Sequence, residues 1–289
     1  MYEIKLLAKK DWPPLLAEIP DPPSKLNILG NLPDPDKYTY LAVVGSRKYS
    51  NYGKDACENL IAGLAGFPIA IVSGLALGID GIAHQAALKA GLLTIAVPGS
   101  GLSPLVLYPP SNRHLAENII KNSGCLLSEF EPEFQATPYS FPKRNRIMAG
   151  ISVATLIVEA SEKSGTLITA RLALDYNREV LIVPGPIFNE GSAGTLRLLK
   201  DGARPVTTSE DILEALSLDN LLGAKKEKDL SELSEQEKFV YQIIITEPMS
   251  RDEIIIESKL TVTEISTTLS LLEIKGYIEE SNGNFRVIN

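Results

Sequence analysis

The sequence predicts an α/β chain: a doubly wound, Rossmann-like, mostly parallel sheet followed by a small C-terminal winged-helix domain. Three observations carry this. From residue 41, short runs of β-branched and apolar residues alternate with longer segments of helical period. Those runs are continuously apolar, as in strands whose two faces are both covered. Near residue 221 the rhythm stops at a charged, low-complexity stretch, LLGAKKEKDLSELSEQ, and a different pattern follows.

Taken in order, residues 1–38 are rich in proline (DWPPLLAEIPDPPSKLNILGNLPDPDKY) and are expected to form an irregular arm packed on the body. Strands are expected at LAVVG (41–45), IAIVSG (69–74), LLTIAVPG (92–99), GCLLSE (124–129), VATLIVEA (153–160), EVLIVPG (179–185) and RPVTT (204–208). Between them lie helical patterns such as DGIAHQAALKAG and SGTLITARLALDYN, and FPKRNRIMAGIS is expected to open a helix at Pro142. The domain assignment is an arm over 1–38, a Rossmann-like domain over 39–220, a charged linker over 221–231 and a winged helix over 232–289. The last is expected to hold three short helices and a hairpin turned at Asn282-Gly283.

Composition narrows the function classes. With 44% hydrophobic and 22% charged residues in 289, the chain is of ordinary globular type and large enough to fold without disulfide or metal. Cys57 and Cys125 form no C-x-x-C pair and have no nearby histidine, so they are expected as buried thiols in a reducing compartment, with no metal site. No stretch approaches the roughly 20 apolar residues of a membrane span, and a cytoplasmic location without a membrane partner is expected. A net charge of -8 excludes a binder that attracts nucleic acid by bulk charge, but leaves room for a local basic cleft.

On a doubly wound sheet, ligands bind outside the carboxyl ends of the strands. Three stretches occupy that edge: VVGSRKYSNYG, VSGLALGIDGIAH and VEASEKSGTLITA. Gly45, Ser46, Ser73, Gly74, Ser164, Gly165 and Thr166 stand where a strand passes into a helix, so that backbone N–H groups can approach an anion closely. Arg47 adds a planar guanidinium suited to a phosphate. Lys143, Arg144 and Arg146 crowd a helix start, where cations are unfavourable unless an anion is held against them. Asn145 lies in the same run, and Phe141 is placed to stack a base. The expectation is one cationic groove built from Arg47, Lys143, Arg144 and Arg146. The bland alternative is that the glycines make tight turns while the cations pair with Glu129, Glu131 and Glu133.

Enzyme signatures are missing. The Gly53-Lys54 pair is followed by Asp55, which breaks a Walker clamp, and GSGLSP fails the dinucleotide fingerprint at its last position, so no cofactor is expected. Asp80 and His84 would share a helix face, but Asp80 is read as the cap of a helix begun by Gly81, with His84 on its first turn. His114 has no partner, no nucleophile and base can be assembled, and no catalytic residue is assigned.

The segments AVVGSR, SGLALGIDGIAHQAAL, YPPSN, LLSEF, FPKRNRIMAGIS, VEASEKSGTLITARLAL and VPGPI…GTLRLLKDGA together closely resemble the DNA-processing protein A family (DprA, also called Smf), in order from about residue 40 to 206. The resemblance implies a Rossmann-like domain that binds and protects incoming single-stranded DNA, forms homodimers and loads the RecA recombinase during natural transformation, without catalytic turnover. The family's Gly-Ser-Arg motif maps onto Gly45, Ser46 and Arg47, its Ser-Gly-Leu-Ala motif onto Ser73 to Ala76, and its basic run onto Phe141 to Arg146. Two departures stand out. The family often carries a helical domain ahead of the sheet where this sequence has only the proline-rich arm, so any role of that domain is expected to be absent; and PLVL before Tyr108 suggests a longer loop. A winged helix also fits the family. Here, from Lys225 onward, 8 Lys and Arg face 13 Asp and Glu, and the expected recognition helix TVTEISTTLSLLEIK has one cation against two carboxylates, which favours a protein contact or a regulatory role over duplex binding.

The main rival is a nucleotide hydrolase of the lysine-decarboxylase-like (LOG) family, whose signature is P-G-G-x-G-T-x-x-E. In the corresponding residues 161–169 only Gly165-Thr166 survives, and Thr169 stands where that family has its catalytic Glu. A nucleotide-sensing regulator acting on duplex DNA is a third possibility, weakened by the acidity of the winged helix.

Overall fold

The computed structural model describes residues 3–224, 233–245, 248–281 and 283–287. It divides into two compact units, Met1–Gly223 and Ala224–Asn289. In the first, nine strands form one sheet: β1 (Lys5–Leu6), β2 (Asn27–Gly30), β3 (Thr39–Val44), β4 (Ile69–Ser73), β5 (Leu93–Ala96), β6 (Cys125–Ser128), β7 (Ala154–Ile157), β8 (Glu179–Ile182) and β9 (Arg204–Pro205). Their order is β1-β2-β6-β5-β4-β3-β7-β8-β9. Every pairing from β6 through to β9 is parallel, while β1 and β2 add an antiparallel edge.

All seven expected strands are present, and each ends before the apolar run that announced it does, because the run continues into the loop at the strand's carboxyl end; β3 also starts two residues earlier than expected, at Thr39. The helices are α1 (Asn51–Ala62), α2 (Ile79–Lys89), α3 (Arg113–Lys121), α4 (Ser140–Ile151), α5 (Thr166–Asp175), α6 (Ala193–Lys200) and α7 (Ser209–Ala215). Side chains of β3 alternate between two cores. Leu41 and Val43 pack with residues of α1, α2 and α7, whereas Tyr40, Ala42 and Val44 pack with α4 and α5. Both faces are therefore buried, which is why the strands read as unbroken apolar runs.

Two expectations change here. Residues 1–38 are more than an irregular arm: β1 and β2 lengthen the sheet, and Trp12, Leu16, Ile19, Leu26 and Ile28 enter its core. The proline spacing hid strands of two and four residues that gain their order from partners, β2 on β6 and β1 on β2. The linker expected from residue 221 also begins too early, because Asp219–Ala224 form a 3-10 helix and Leu221 packs on the core; residues 225–231 lie outside the described residues. Cys57 and Cys125 are buried free thiols, and burial raises both pKa values, that of Cys57 to about 12.

The second unit contains α8 (Glu235–Ile244), β10 (Met249–Ser250), α9 (Arg251–Ser258), α10 (Val262–Ile274), β11 (Ile278–Ser281) and β12 (Asn284–Val287), with strand order β10-β12-β11. This is a winged helix around Val240, Tyr241, Ile244, Ile254, Ile265, Leu269, Leu272 and Phe285. Strand β10 is an addition to the expected pattern. The hairpin register pairs Ser281 with Asn284 and Gly283 has φ +82°, as the expected turn requires; Asn282 lies outside the described residues. Part of this unit's acidity is local. Glu237, Glu253 and Glu264 each close a capping box, with Ser234, Ser250 and Thr261 respectively.

Candidate nucleic-acid interface

Strand order reverses between β3 and β7, which makes their carboxyl ends the switch point of the sheet. A crevice of about 800 Å³ opens there. Its walls come from the β3 exit (Gly45 to Lys48), the first turns of α4 and α5, and the β8 exit at Glu190 and Gly191. Gly45, Ser46, Arg47, Phe141, Arg144, Asn145, Ser164, Gly165 and Thr166 line it; Ser73, Gly74, Lys143 and Arg146 do not.

Glycines shape the first wall. A Cβ on Gly45 would lie 2.7 Å from Ile79 Cγ1, so the start of α2 packs directly on the strand exit. Gly78 has φ +86° and Ile79 N–H donates to Ser46 O at 3.2 Å, which holds the two loops together. The Ser46 hydroxyl accepts from Lys48 N–H at 3.0 Å and donates to Lys48 O at 2.8 Å, fixing the turn that carries Arg47 and Lys48. Both cations are exposed. The Arg47 guanidinium lies over the half-buried Phe141 ring, 5.1 Å from its centroid, and Phe141 in turn meets Tyr108 at 5.6 Å. Lys48 and Tyr108 escaped the sequence reading; only adjacency to Arg47 and the YPPSN segment hinted at them.

The second wall is α5. Its cap residue, Gly165, makes no side-chain hydrogen bond, and a Cβ built there would meet nothing within 4 Å. Ser164 Oγ donates to Thr166 Oγ1 at 2.9 Å, and Thr166 Oγ1 donates to Gly45 O at 3.1 Å, so the hydroxyls tie α5 to the β3 exit. The start of α4 also lacks a side-chain cap. Two helix N-termini with their dipoles' positive ends thus border one crevice. The N-terminus of α1 is different: the buried Glu159 carboxylate accepts from Ser50 N–H at 2.9 Å and from the Ser50 hydroxyl at 2.5 Å, so the protein's own anion fills the place a nucleotide phosphate would take.

The basic run behaves otherwise than expected. Arg144 is buried, donating through Nη1 to Gly74 O at 2.5 Å and to Val97 O, and through Nε to Asn145 Oδ1 at 3.0 Å. It clamps the exits of β4 and β5 and orients the Asn145 amide, instead of offering its charge to a ligand. Burial lowers its pKa to about 10. Arg146 is also buried: Nη2 donates to Glu129 at 2.5 Å and Nη1 to Asp21 O at 2.7 Å. Lys143 lies 3.5 Å from the same Glu129 carboxylate. Burial raises the Glu129 pKa, with Arg146 and Lys143 pulling it back. The single groove lined by all four cations is therefore not formed, and for Lys143 and Arg146 the pairing alternative holds through Glu129. Ser73 Oγ donates to Val43 O at 2.6 Å inside the sheet, and Gly74 N–H donates to Asp80 Oδ2 at 3.1 Å; both build the wall from behind.

Asp80 is no N-cap, since α2 is capped by Gly78 without a side chain. Burial raises its pKa, and the Arg144 charge with the Ala76 and Gly74 N–H groups lowers it. His84 stands on the second turn of α2, buried against Thr94 Oγ1 at 2.7 Å; burial lowers its pKa to about 3, so it is neutral near pH 7. Thr169, in place of the hydrolase carboxylate, is buried along the crevice. The chemistry on offer is cation, aromatic face, hydroxyls and the positive ends of two helix dipoles, a set suited to a phosphate backbone with attached bases.

The family model for DNA recombination-mediator protein A matches residues 3–217, and that of the DprA winged helix domain matches residues 224–284. The chain is 44% identical over 205 residues to Protein Smf of Escherichia coli (strain K12), covering 71% of this chain but only 54% of that protein. It is 44% identical over 198 residues to DNA processing protein DprA of Streptococcus pneumoniae (strain ATCC BAA-255 / R6), covering 68% of each. Two solved structures are similar at TM-score 0.68: DNA processing protein A from Streptococcus pneumoniae, 41% identical over 73% of this chain and 74% of that one, and DNA processing protein A from Helicobacter pylori, 31% identical over 75% of this chain and 97% of that one. The latter was determined for its single-stranded DNA binding mode.

Proposed function

The chain belongs to the DNA recombination-mediator protein A family, and from that premise we propose that its crevice grips the backbone of single-stranded DNA, that it works as a homodimer, and that it hands the strand to a RecA recombinase during natural transformation. The observation that carries the proposal is the Arg47 guanidinium on the Phe141 ring, at the rim of an open crevice in a protein of net charge -8. Arg47 and Lys48 hold phosphates; the open face at Gly165 and the positive dipole ends of α4 and α5 favour them there; Phe141 and Tyr108 form the surface on which a base stacks. Backbone grip needs no base-reading residue, so binding is general in sequence. Catalytic turnover forms no part of the proposal.

The acidic winged helix is proposed as a protein-contact or regulatory module, because the described residues of α10 carry no Lys or Arg with which to meet a phosphate lattice. Titration of labelled single-stranded and duplex oligonucleotides at two salt concentrations tests the proposal. Single strands should bind tighter, with a negative salt slope; equal affinity for duplex, or release of base from nucleoside monophosphates, would refute it in favour of a rival.

A further inference from the structure

The loop after β8 presents an apolar tip beside the crevice. Phe188 is 96% exposed and Ile187 74%. The loop is held firmly behind them. Asn189 N–H donates to Pro186 O at 3.1 Å, closing a turn across the two side chains. The Asn189 side chain accepts from Gly191 N–H at 2.8 Å, and Ser192 N–H returns to Asn189 O at 2.9 Å. On the other side of the tip, the Tyr52 hydroxyl donates to Pro184 O at 2.6 Å, pinning the loop to α1. A Cβ on Gly185 would lie 2.8 Å from Ser192 Cβ, so the neck is closed by direct contact. The exposure of an adjacent Ile and Phe is thus built into a braced turn, and hydrophobic surface presented in this way marks a contact site.

What it contacts follows from position and charge. Glu190 and Gly191, directly behind the tip, line the crevice, so the tip continues the same surface. The Glu190 carboxylate at that edge repels phosphate, and a strand passing here turns its bases, not its backbone, toward the protein. We propose that Phe188, with Ile187 beside it, is a second stacking platform for the single strand leaving the crevice. This rests on the crevice being the strand's binding site.

The test uses two variants on the full chain. In Phe188→Trp, the new indole is exposed, whereas the one native tryptophan, Trp12, is buried; saturating oligo-dT should quench the added fluorescence. In Phe188→Ala, affinity for long oligo-dT should fall about tenfold, while the shortest oligomers that bind stay unaffected and the salt slope is unchanged, because stacking releases no counterions. Unquenched emission from the introduced indole together with parental affinity in Phe188→Ala would overturn the platform. So would a Phe188→Ala variant whose sole change is in oligomeric state, which would mark the tip as a protein contact. Arg47→Ala separates the two layers: if it weakens binding and Phe188→Ala does not, the platform alone fails; if neither does, the crevice assignment fails as well.

Discussion

Two basic segments, residues 45–48 and 143–146, look alike in the sequence and end in opposite situations. The richer one, with three cations, is spent on the protein's own groups. The poorer one, Arg47 and Lys48, stands open at the crevice rim. Helix geometry explains the inversion. On α4 successive residues turn by about 100°, so Lys143 and Arg146, three apart, share a face and both meet Glu129, while Arg144 points between β4 and β5. Three neighbouring cations on a helix cannot face one ligand. In a loop held by its own Ser46 turn, two neighbours can. The density of charge in a sequence is therefore a poor guide to its availability.

The contrast can be broken or sharpened by substitution. The largest effect is expected for Arg144→Met, which removes the clamp on Gly74 O and Val97 O and takes from buried Asp80 the stronger of the two cations acting on it, leaving Arg47. Urea denaturation should show a loss of about 3 to 5 kcal/mol; a loss below about 1 kcal/mol would show Arg144 to be a dispensable surface-type charge after all. Next, Arg47→Ala should leave stability unchanged and weaken oligo-dT binding by about 1 to 3 kcal/mol, with the salt slope reduced by about one. Unaltered affinity would place the strand elsewhere.

Gly165→Ala is expected to be smaller in effect and more discriminating. The added Cβ meets nothing of the protein, so stability should stay within about 1 kcal/mol of the parent. Any several-fold loss of affinity then reports a ligand lying against α5, and parental affinity would remove α5 from the binding surface. Smallest is Lys143→Ala, which should change stability and affinity by no more than about 0.5 kcal/mol, since its half-exposed ion pair with Glu129 faces away from the crevice lining. A tenfold loss of affinity there would restore the basic run as a phosphate grip.

The winged helix extends the lesson. Its S/T-x-x-E signatures at Ser234, Ser250 and Thr261 show that three of its carboxylates serve helix starts, and those of Glu253 and Glu264 stay exposed, with the cap hydrogen bonds holding their pKa values down. The single cation expected on the recognition helix is also placed by the structure: α10 ends at Ile274, and Lys275, its C-cap, pairs with Glu237 at 2.7 Å.

The sequence by itself determined the strand and helix succession, the parallel sheet, the winged helix and the glycine and serine stretches at the sheet edge, because periodicity and turn chemistry are local and repeat within a few residues. It also marked Gly45 to Arg47, Phe141, Asn145 and Ser164 to Thr166, all of which line the crevice. Only tertiary structure decided that residues 5–6 and 27–30 join the sheet, that Asp80 braces Gly74 rather than capping a helix, and that Arg144 and Arg146 are buried struts. Those outcomes depend on Glu129, Asp21, Val97 and β6, partners far along the chain whose approach no local pattern encodes.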